Sequence, residues 1–406
     1  MIYDVIIIGG GPSGLISANE FQKESINYLL LEKNESVGKK LLITGGKRCN
    51  VTNNLDVKDF IDALTLKHKR FLYKSLNLFG PKEVISYFDD LGLSLQLEND
   101  FKYFPSTNKS SSVLEALLKN LDPKKIKVNE DVKKVSFEEG IYVVKTSNEK
   151  FMSKRLIIAT GSMSYPMTGS NGDGIKLTKS FNLQSDKFTP AETSVYSSYV
   201  TKELSDLQGV SILDTTLKIN NTKHKTTGAI GFTHFGLSGP AVFHLSENIY
   251  LELQNNNNLI SFNLTSKNET ELNQMFLRSQ NIYILKVLER LTIKRIAKKI
   301  LDLLKLPNKK VVELSKKDIN KIIKMLISFE VKVDKVETVE KAFVNRGGIK
   351  TSELNPNSFE VKKQPGLFIV GETVDLHGPI GGFNITIALS SGYSAAFTII
   401  SEIKNL

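Results

Sequence analysis

Absences narrow the reading of this chain before any motif does. A single cysteine, Cys49, stands among 406 residues. It excludes an internal disulfide and a CxxC dithiol relay, as suits a reducing cytoplasm. No apolar run reaches the ~18 residues that a membrane-spanning helix needs, so no membrane association is expected. The apolar N-terminus lacks a basic lead and a small-residue cleavage site, and it reads as a strand, not a signal peptide. Internal repeats and low-complexity linkers are missing, and no metal site is expected.

Acidic residues are the scarcer charge, 43 against 54 Lys and Arg, for a net charge of +11. Residues 266–341 hold 18 of the basic residues and only 10 acidic ones. That excess suits an anion-binding surface, RNA included, or a lysine-rich solvated helical face. No aromatic interleaving or RNA-module motif accompanies it, so nucleic acid is not the expected partner. At this length two or three domains are expected.

What is present begins at once. A buried apolar run, Val5-Ile6-Ile7-Ile8, enters Gly9-Gly10-Gly11-Pro12-Ser13-Gly14. A helical stretch follows, then Tyr28-Leu29-Leu30-Leu31 ending on Glu32. Strand, glycine turn, helix, strand and terminal acid come in the order a dinucleotide site requires. Gly9 permits the tight turn, Gly11 admits a pyrophosphate, and Gly14 lets helix and strand pack closely. Pro12 suits a first helical turn, whose open N–H groups and positive dipole end favour the diphosphate. Glu32 is placed to accept ribose hydroxyls.

Residues 57–92 read as mainly helical, and short β-like runs follow near 93–104 and 126–152. A buried strand, Leu156-Ile157-Ile158-Ala159, runs into Thr160-Gly161, where a glycine passes close to the cofactor. Residues 175–185 return to a helical pattern. Composition then shifts: 190–265, rich in Thr, Ser, Val and Ile, reads as an all-β module. The stretch 266–342 carries a helical stripe through Ile284, Val287, Leu288, Leu291, Ile296, Ile300, Leu303 and Leu304, broken at Pro307. After 345 glycine-rich α/β character returns. The expected architecture is α/β and discontinuous. Residues 1–189 and 343–406 form a Rossmann-type FAD-binding domain, with a β-rich insert at 190–265 and a helical insert at 266–342.

FAD is preferred over NAD because of the C-terminal segment. Leu367-Phe368-Ile369-Val370 ends on Gly371-Glu372, and Gly381-Gly382-Phe383-Asn384 opens a second helix rich in small residues. Such a helix directs its N-terminus at a flavin, where reduction creates negative charge. Glu372, following the strand, is placed for ribityl hydroxyls. Lys40 and Arg48 are candidates to counter the diphosphate or a negative flavin, or ordinary surface ion-pair members. Val132 stands where a backbone amide reads adenine, or as a plain strand residue.

Gly45-Gly46-Lys47-Arg48-Cys49-Asn50-Val51-Thr52-Asn53 resembles the GG-x-RCN-x-TN signature of a bacterial FAD-dependent oxidoreductase family that includes aminoacetone oxidases and a bile-acid enone reductase. Ser164-Tyr165-Pro166 with Gly169–Gly174, the block Phe232–Pro240, and Gly371-Glu372 through Asn384 are similar to further blocks of that family, in order, over nearly the whole chain. The resemblance implies a two-part FAD domain with a β-barrel-like insert and a helical insert. It also implies FAD contacts at Ser13, Gly14, Glu32, Lys33, Lys40, Val132, Gly371, Asp375, Asn384 and Ile385. The chain departs from the family's pattern at His377.

The expected chemistry is hydride transfer between the flavin and a small amine, carbonyl or enone substrate, with NAD(P)H or oxygen as redox partner. No second GxGxxG follows a strand, so no separate nicotinamide domain is visible. His377, just before Gly378-Pro379, is the candidate proton-handling residue or a hydrogen-bonded loop histidine. His234 reads as a residue fixing the β module. Cys49 reads as packing or close cofactor contact without redox chemistry.

Overall fold

The computed structural model describes residues 1–404. The chain divides into two compact units, Met1–Thr189 with Val339–Leu406, and Pro190–Thr338.

The first unit is built on a seven-stranded sheet. Strand β1, Ile2–Ile8, leads through the glycines into helix α1, Pro12–Lys23, and returns as strand β2, Tyr28–Leu31. Residues Val5–Ile8 and all of β2 are buried. Continuous apolar runs are what a parallel sheet covered on both faces demands. From one edge the order is Ile126–Lys127, β2, β1, Lys150–Ile158, Ile141–Thr146 and Val132–Glu138. The first four run parallel, and the last two fold back as an antiparallel meander against residues 150–153. Leu367–Ile369, arriving from the far end of the chain, takes the place beside residues 156–158 that the meander leaves free.

The chain between β2 and the meander is mostly helical, as its spacing predicts, but in pieces. Val57–Ala63, Tyr73–Leu78 and Pro81–Asp90 are separated by loops, a 3-10 turn and the Gly80-Pro81 break. Asp56 caps the first, its carboxylate accepting from Asp59 N–H. A short helix α2, Lys39–Ile43, was not anticipated. The expected helix over 175–185 stops at Leu177, and a strand begins at Ser185.

The C-terminal helix, Phe383–Lys404, is the longest in the protein's described residues. It corrects the expectation that no stretch is long and apolar enough to span a membrane. Its mean hydropathy reaches 1.3 over an 18-residue window, but 67% of that window is buried inside the protein. Its small residues serve packing against α1. A Cβ on Gly392 would lie 2.2 Å from the Ser13 carbonyl, and Ser17 Oγ donates to the Gly392 carbonyl at 2.8 Å.

The second unit has one hydrophobic core, running from Val195 through Phe262 and Ile300 to Val336. The β-rich and helical stretches read from sequence as two inserts are therefore halves of one body. Its antiparallel sheet runs Phe329–Lys332, Leu259–Phe262, Ser211–Ile219, Lys225–Phe232, Gly236–Ser238, Val195–Tyr196 and Lys335–Val336. The 190–265 segment is not all β, since Pro240–Gln254 is a helix, with Ala241, Val242, Leu245 and Ile249 buried. The later segment carries helices Glu269–Arg278, Lys294–Leu304 and Lys316–Ile327, and it returns two strands to the sheet. His234 is exposed and meets Phe235 edge-on, while Thr233 Oγ1 holds the turn by donating to the Gly236 carbonyl at 3.0 Å.

Candidate active site

Register gathers the site. Ile8 is level with Leu31 and Ile158, and Ile158 is level with Ile369. The four segments that leave these parallel strands therefore emerge side by side at one sheet edge: Gly9–Gly14, Glu32, Ala159–Gly161 and Val370–Glu372. Ligands of open α/β sheets bind at that carboxyl edge.

The glycine loop is shaped for close backbone approach. Gly9 has φ +108°, and a Cβ there would lie 2.4 Å from the Ala159 carbonyl. A Cβ on Gly11 would meet nothing within 4 Å, so the backbone at the start of α1 faces open space. Pro12 is the first helical residue, and the N–H groups of Ser13 and Gly14 have no intrahelical acceptor, leaving a ready anion site. Glu32 braces this loop. Its Oε2 accepts from Gly10 N–H at 2.9 Å, and its Oε1 accepts from the Asn34 N–H and side-chain amide at 2.9 and 2.6 Å. Oε2 keeps acceptor capacity for a ribose hydroxyl.

A second helix start is held at the same edge. Asn53 Nδ2 donates to the Gly381 carbonyl at 3.1 Å, and Thr386 Oγ1 donates to Thr52 Oγ1 at 2.8 Å. Asn50, with its amide nitrogen facing the Thr52 and Tyr103 carbonyls, accepts from Gly382 N–H at 3.1 Å. Asn384 clamps the preceding loop, accepting from Gly378 N–H at 2.9 Å and donating to the Gly378 carbonyl at 2.8 Å. Phe383 is buried, with its ring centre 4.6 Å from that of Phe60; Ile385 is half-buried.

The charged candidates are paired. Lys40 Nζ lies 2.5 Å from Glu372 Oε2, which also accepts from Ser162 Oγ at 3.0 Å. Burial opposes the charge on Glu372, yet the Lys40 ammonium and these hydrogen bonds outweigh it and hold the carboxyl below its ordinary range. Lys33 Nζ bonds Asp173 at 2.7 Å and Asn171 at 2.8 Å. The Arg48 guanidinium pairs with Glu98 and Asn108 and lies over the Phe104 ring. Asp375 Oδ1 accepts from Gly347 N–H at 2.9 Å, and its backbone carbonyl accepts from His68 Nε2 at 2.6 Å.

His377 is buried one residue before the clamped Gly378. Cys49 is buried at φ +62°, and burial pushes its thiol up to about 12, so it stays protonated at neutral pH. Thr160 and Gly161 meet Thr373, whose Oγ1 accepts from Gly161 N–H at 3.0 Å. Gly371 N–H donates to Ser391 Oγ at 2.9 Å. Gly45 and Gly46, both at positive φ, shape the turn that leads to Asn50. Val132 opens its strand at a register shift, two residues after Glu130, whose N–H donates to the Glu32 carbonyl at 2.9 Å. Sequence reasoning missed Ser162, Thr373, Ser391 and His68; none sits in a motif with a spacing rule.

The residues fit FAD: open backbone at Gly11, free first-turn N–H groups, a carboxylate at the end of β2 and a second helix start at the same edge. Fold and site define an FAD-binding Rossmann flavoprotein, an enzyme of the FAD-dependent oxidoreductase class. The model of the HI0933-like protein Rossmann domain matches residues 3–398, and the chain belongs to that family. It is 26% identical over 407 residues to the ribosomal RNA dihydrouridine synthase of Escherichia coli (strain K12), covering 98% of both chains. It is also 26% identical over 409 residues to the 3-dehydro-bile acid delta(4,6)-reductase of Clostridium scindens, covering 96% of this chain and 97% of the relative. Among solved structures, the 3-ketosteroid-delta4-(5alpha)-dehydrogenase of Rhodococcus jostii shares the fold, with a TM-score of 0.55 at 13% identity over 98% of this chain and 96% of that one.

Proposed function

We propose that this flavoenzyme is a reductase acting on a carbon–carbon double bond conjugated to a carbonyl. The observation that carries the reading is the second helix start, tied down at the sheet edge that bears the glycine loop. A fixed positive helix end stabilises the anionic reduced cofactor, and so favours an enzyme that holds reducing equivalents for its substrate. The two full-length relatives agree chemically. A 3-oxo steroid with Δ4,6 unsaturation and the 5,6 bond of a uracil ring are both alkenes conjugated to a carbonyl.

FAD, when bound and reduced, would supply the hydride for such a reduction; what this chain must add is the proton that balances it. His377 is the candidate donor, its loop held by the Asn384 clamp on Gly378. If His377→Gln leaves flavin reduction and turnover unchanged across pH, this role is withdrawn.

The first test is spectroscopic. Anaerobic NADH or NADPH should bleach the flavin band, and a steroidal enone or a uridine-containing ribosomal RNA fragment should restore it. A band that bleaches only with aminoacetone or another amine, and recovers in air, would make the enzyme an oxidase and overturn the proposal.

A second reading, in which RNA carries the reducible ring, has its own support. Residues 286–324 hold 13 Lys and Arg against 4 Asp and Glu. Lys294, Lys298, Lys305, Lys309, Lys310, Lys316, Lys317 and Lys324 are all exposed. A clustered cationic surface of this kind suits a phosphate backbone.

A further inference from the structure

We propose that Asn53, together with Thr52, is a positioning residue that sets the reduction potential of the flavin through the first turn of the C-terminal helix. The proposal rests on the reading of this site as an FAD reductase and adds to it how the second helix start is held.

Both side chains are fully buried and polar, and each bonds a segment some 330 residues away. Asn53 donates to the Gly381 carbonyl and accepts from Leu55 N–H at 3.3 Å. Thr52 Oγ1 takes the Thr386 hydroxyl, one turn into the helix. Between them the Thr52 backbone crosses Gly382 so closely that a Cβ there would lie 2.4 Å from the Thr52 carbonyl carbon. Thr52–Asn53 is itself a strand, paired with Lys102–Pro105, which pairs in turn with Leu95–Glu98. The clasp is thus a fixed point on a small sheet.

The helix does not need this clasp to stay in place. Its middle is already held against α1 by the Ser17 bond to Gly392, and Gly371 N–H bonds Ser391. From Gly392 back to Phe383 the helix extends about 13 Å beyond that contact. The clasp acts on that end, beside the Asn50 bond to Gly382 N–H and the packing of Phe383 on Phe60. There the first-turn N–H groups carry the positive partial charge, whose effect falls off within one turn. Small displacements of the first turn therefore alter its interaction with a reduced, anionic flavin.

The test compares Asn53→Leu and Thr52→Val with the parent, using Thr52→Ser, which keeps the hydroxyl, as the conservative control. Released FAD is quantified first, then the midpoint potential is measured by dye equilibration. Asn53→Leu should hold FAD at parental stoichiometry while its reduced-to-oxidised ratio at a fixed potential falls about tenfold, which is about 30 mV for a two-electron couple. Thr52→Val should move the same way by less, and Thr52→Ser should return to the parent value. Parental potentials in FAD-loaded Asn53→Leu and Thr52→Val would reduce the clasp to scaffold and overturn the proposal. If Asn53→Leu does not fold, Thr52→Val decides by the same measure. A parent that releases no FAD would instead sink the flavin reading, and this assignment with it.

Discussion

Lys40 Nζ sits 2.5 Å from Glu372 Oε2, joining the helix after the Gly38 turn to the segment that leaves the C-terminal strand. Both side chains are largely buried, so removing one partner strands the other. Lys40→Met should cost about 2–3 kcal/mol by urea denaturation, and Lys40→Met/Glu372→Gln should cost at least about 1 kcal/mol less than the sum of the singles. Additive effects would show that the pair is not coupled. The pH dependence follows from the depressed carboxyl. Its contribution is complete above the ordinary value of 4.5 and is lost as pH falls through the lower folded value. Lys40→Met should flatten that acid limb.

Glu32 ties the glycine loop to the end of β2 through Gly10 N–H. Glu32→Ala removes a charge-assisted bond worth about 1.5–3 kcal/mol, and with it the carboxylate that we propose accepts the ribose hydroxyls. FAD affinity, read by fluorescence titration of the apoprotein, should fall by about tenfold to a hundredfold. Unchanged affinity would mean that the brace and the cofactor are independent.

The dinucleotide half of this site was legible because its rules are local. Val5–Ile8, the glycines and Glu32 lie at fixed offsets along 32 residues, and each offset has a steric or electrostatic reason. The C-terminal helix was legible for the same reason. What could not be read was pairing across distance. Nothing near Lys40 names Glu372, and nothing near Asn53 names Gly381, because each contact exists only once the sheet has brought its strand ends level. The helix Pro240–Gln254 is different. Ala241, Val242, Leu245 and Ile249 already form a helical stripe, but the Thr- and Val-rich strands around it masked the period.

Cys49 is raised from 9.0 to about 12 by burial, and so is a neutral packing group near pH 7. In the unfolded chain it ionises from about pH 9; in the fold it does not until about pH 12. Its contribution to stability is therefore complete below pH 9 and is lost as pH rises from there through 12. Cys49→Ala should lack this alkaline slope in thermal melts, and the native thiol should resist a disulfide reagent at pH 8 until denaturant is added. Cys49→Ser should keep both FAD and turnover; normal FAD with reduced turnover would give the thiol a part in the chemistry.

The cationic helices of the second unit supply the sharpest choice between substrates. Lys299 is tied to Asp206 and Arg295 to the Asp206 and Gln208 carbonyls, so these two serve the fold. Lys298, Lys305, Lys309, Lys310, Lys316 and Lys317 are exposed along the same stretch. Phosphate binding by such residues releases counterions, so affinity should fall linearly with the logarithm of salt concentration, at a slope near −0.9 per phosphate on a duplex and nearer −0.7 on a single strand. A ribosomal RNA fragment that binds at 50 mM salt should lose at least about tenfold in affinity by 200 mM. Replacing Lys309, Lys310, Lys316 and Lys317 with glutamine should flatten that slope while leaving flavin bleaching by a nicotinamide donor intact. RNA that reoxidises the bleached flavin in low salt would make the uracil ring the substrate. No binding in low salt, with an enone still restoring the flavin band, would leave the lysines as a solvated face and a small molecule as the substrate.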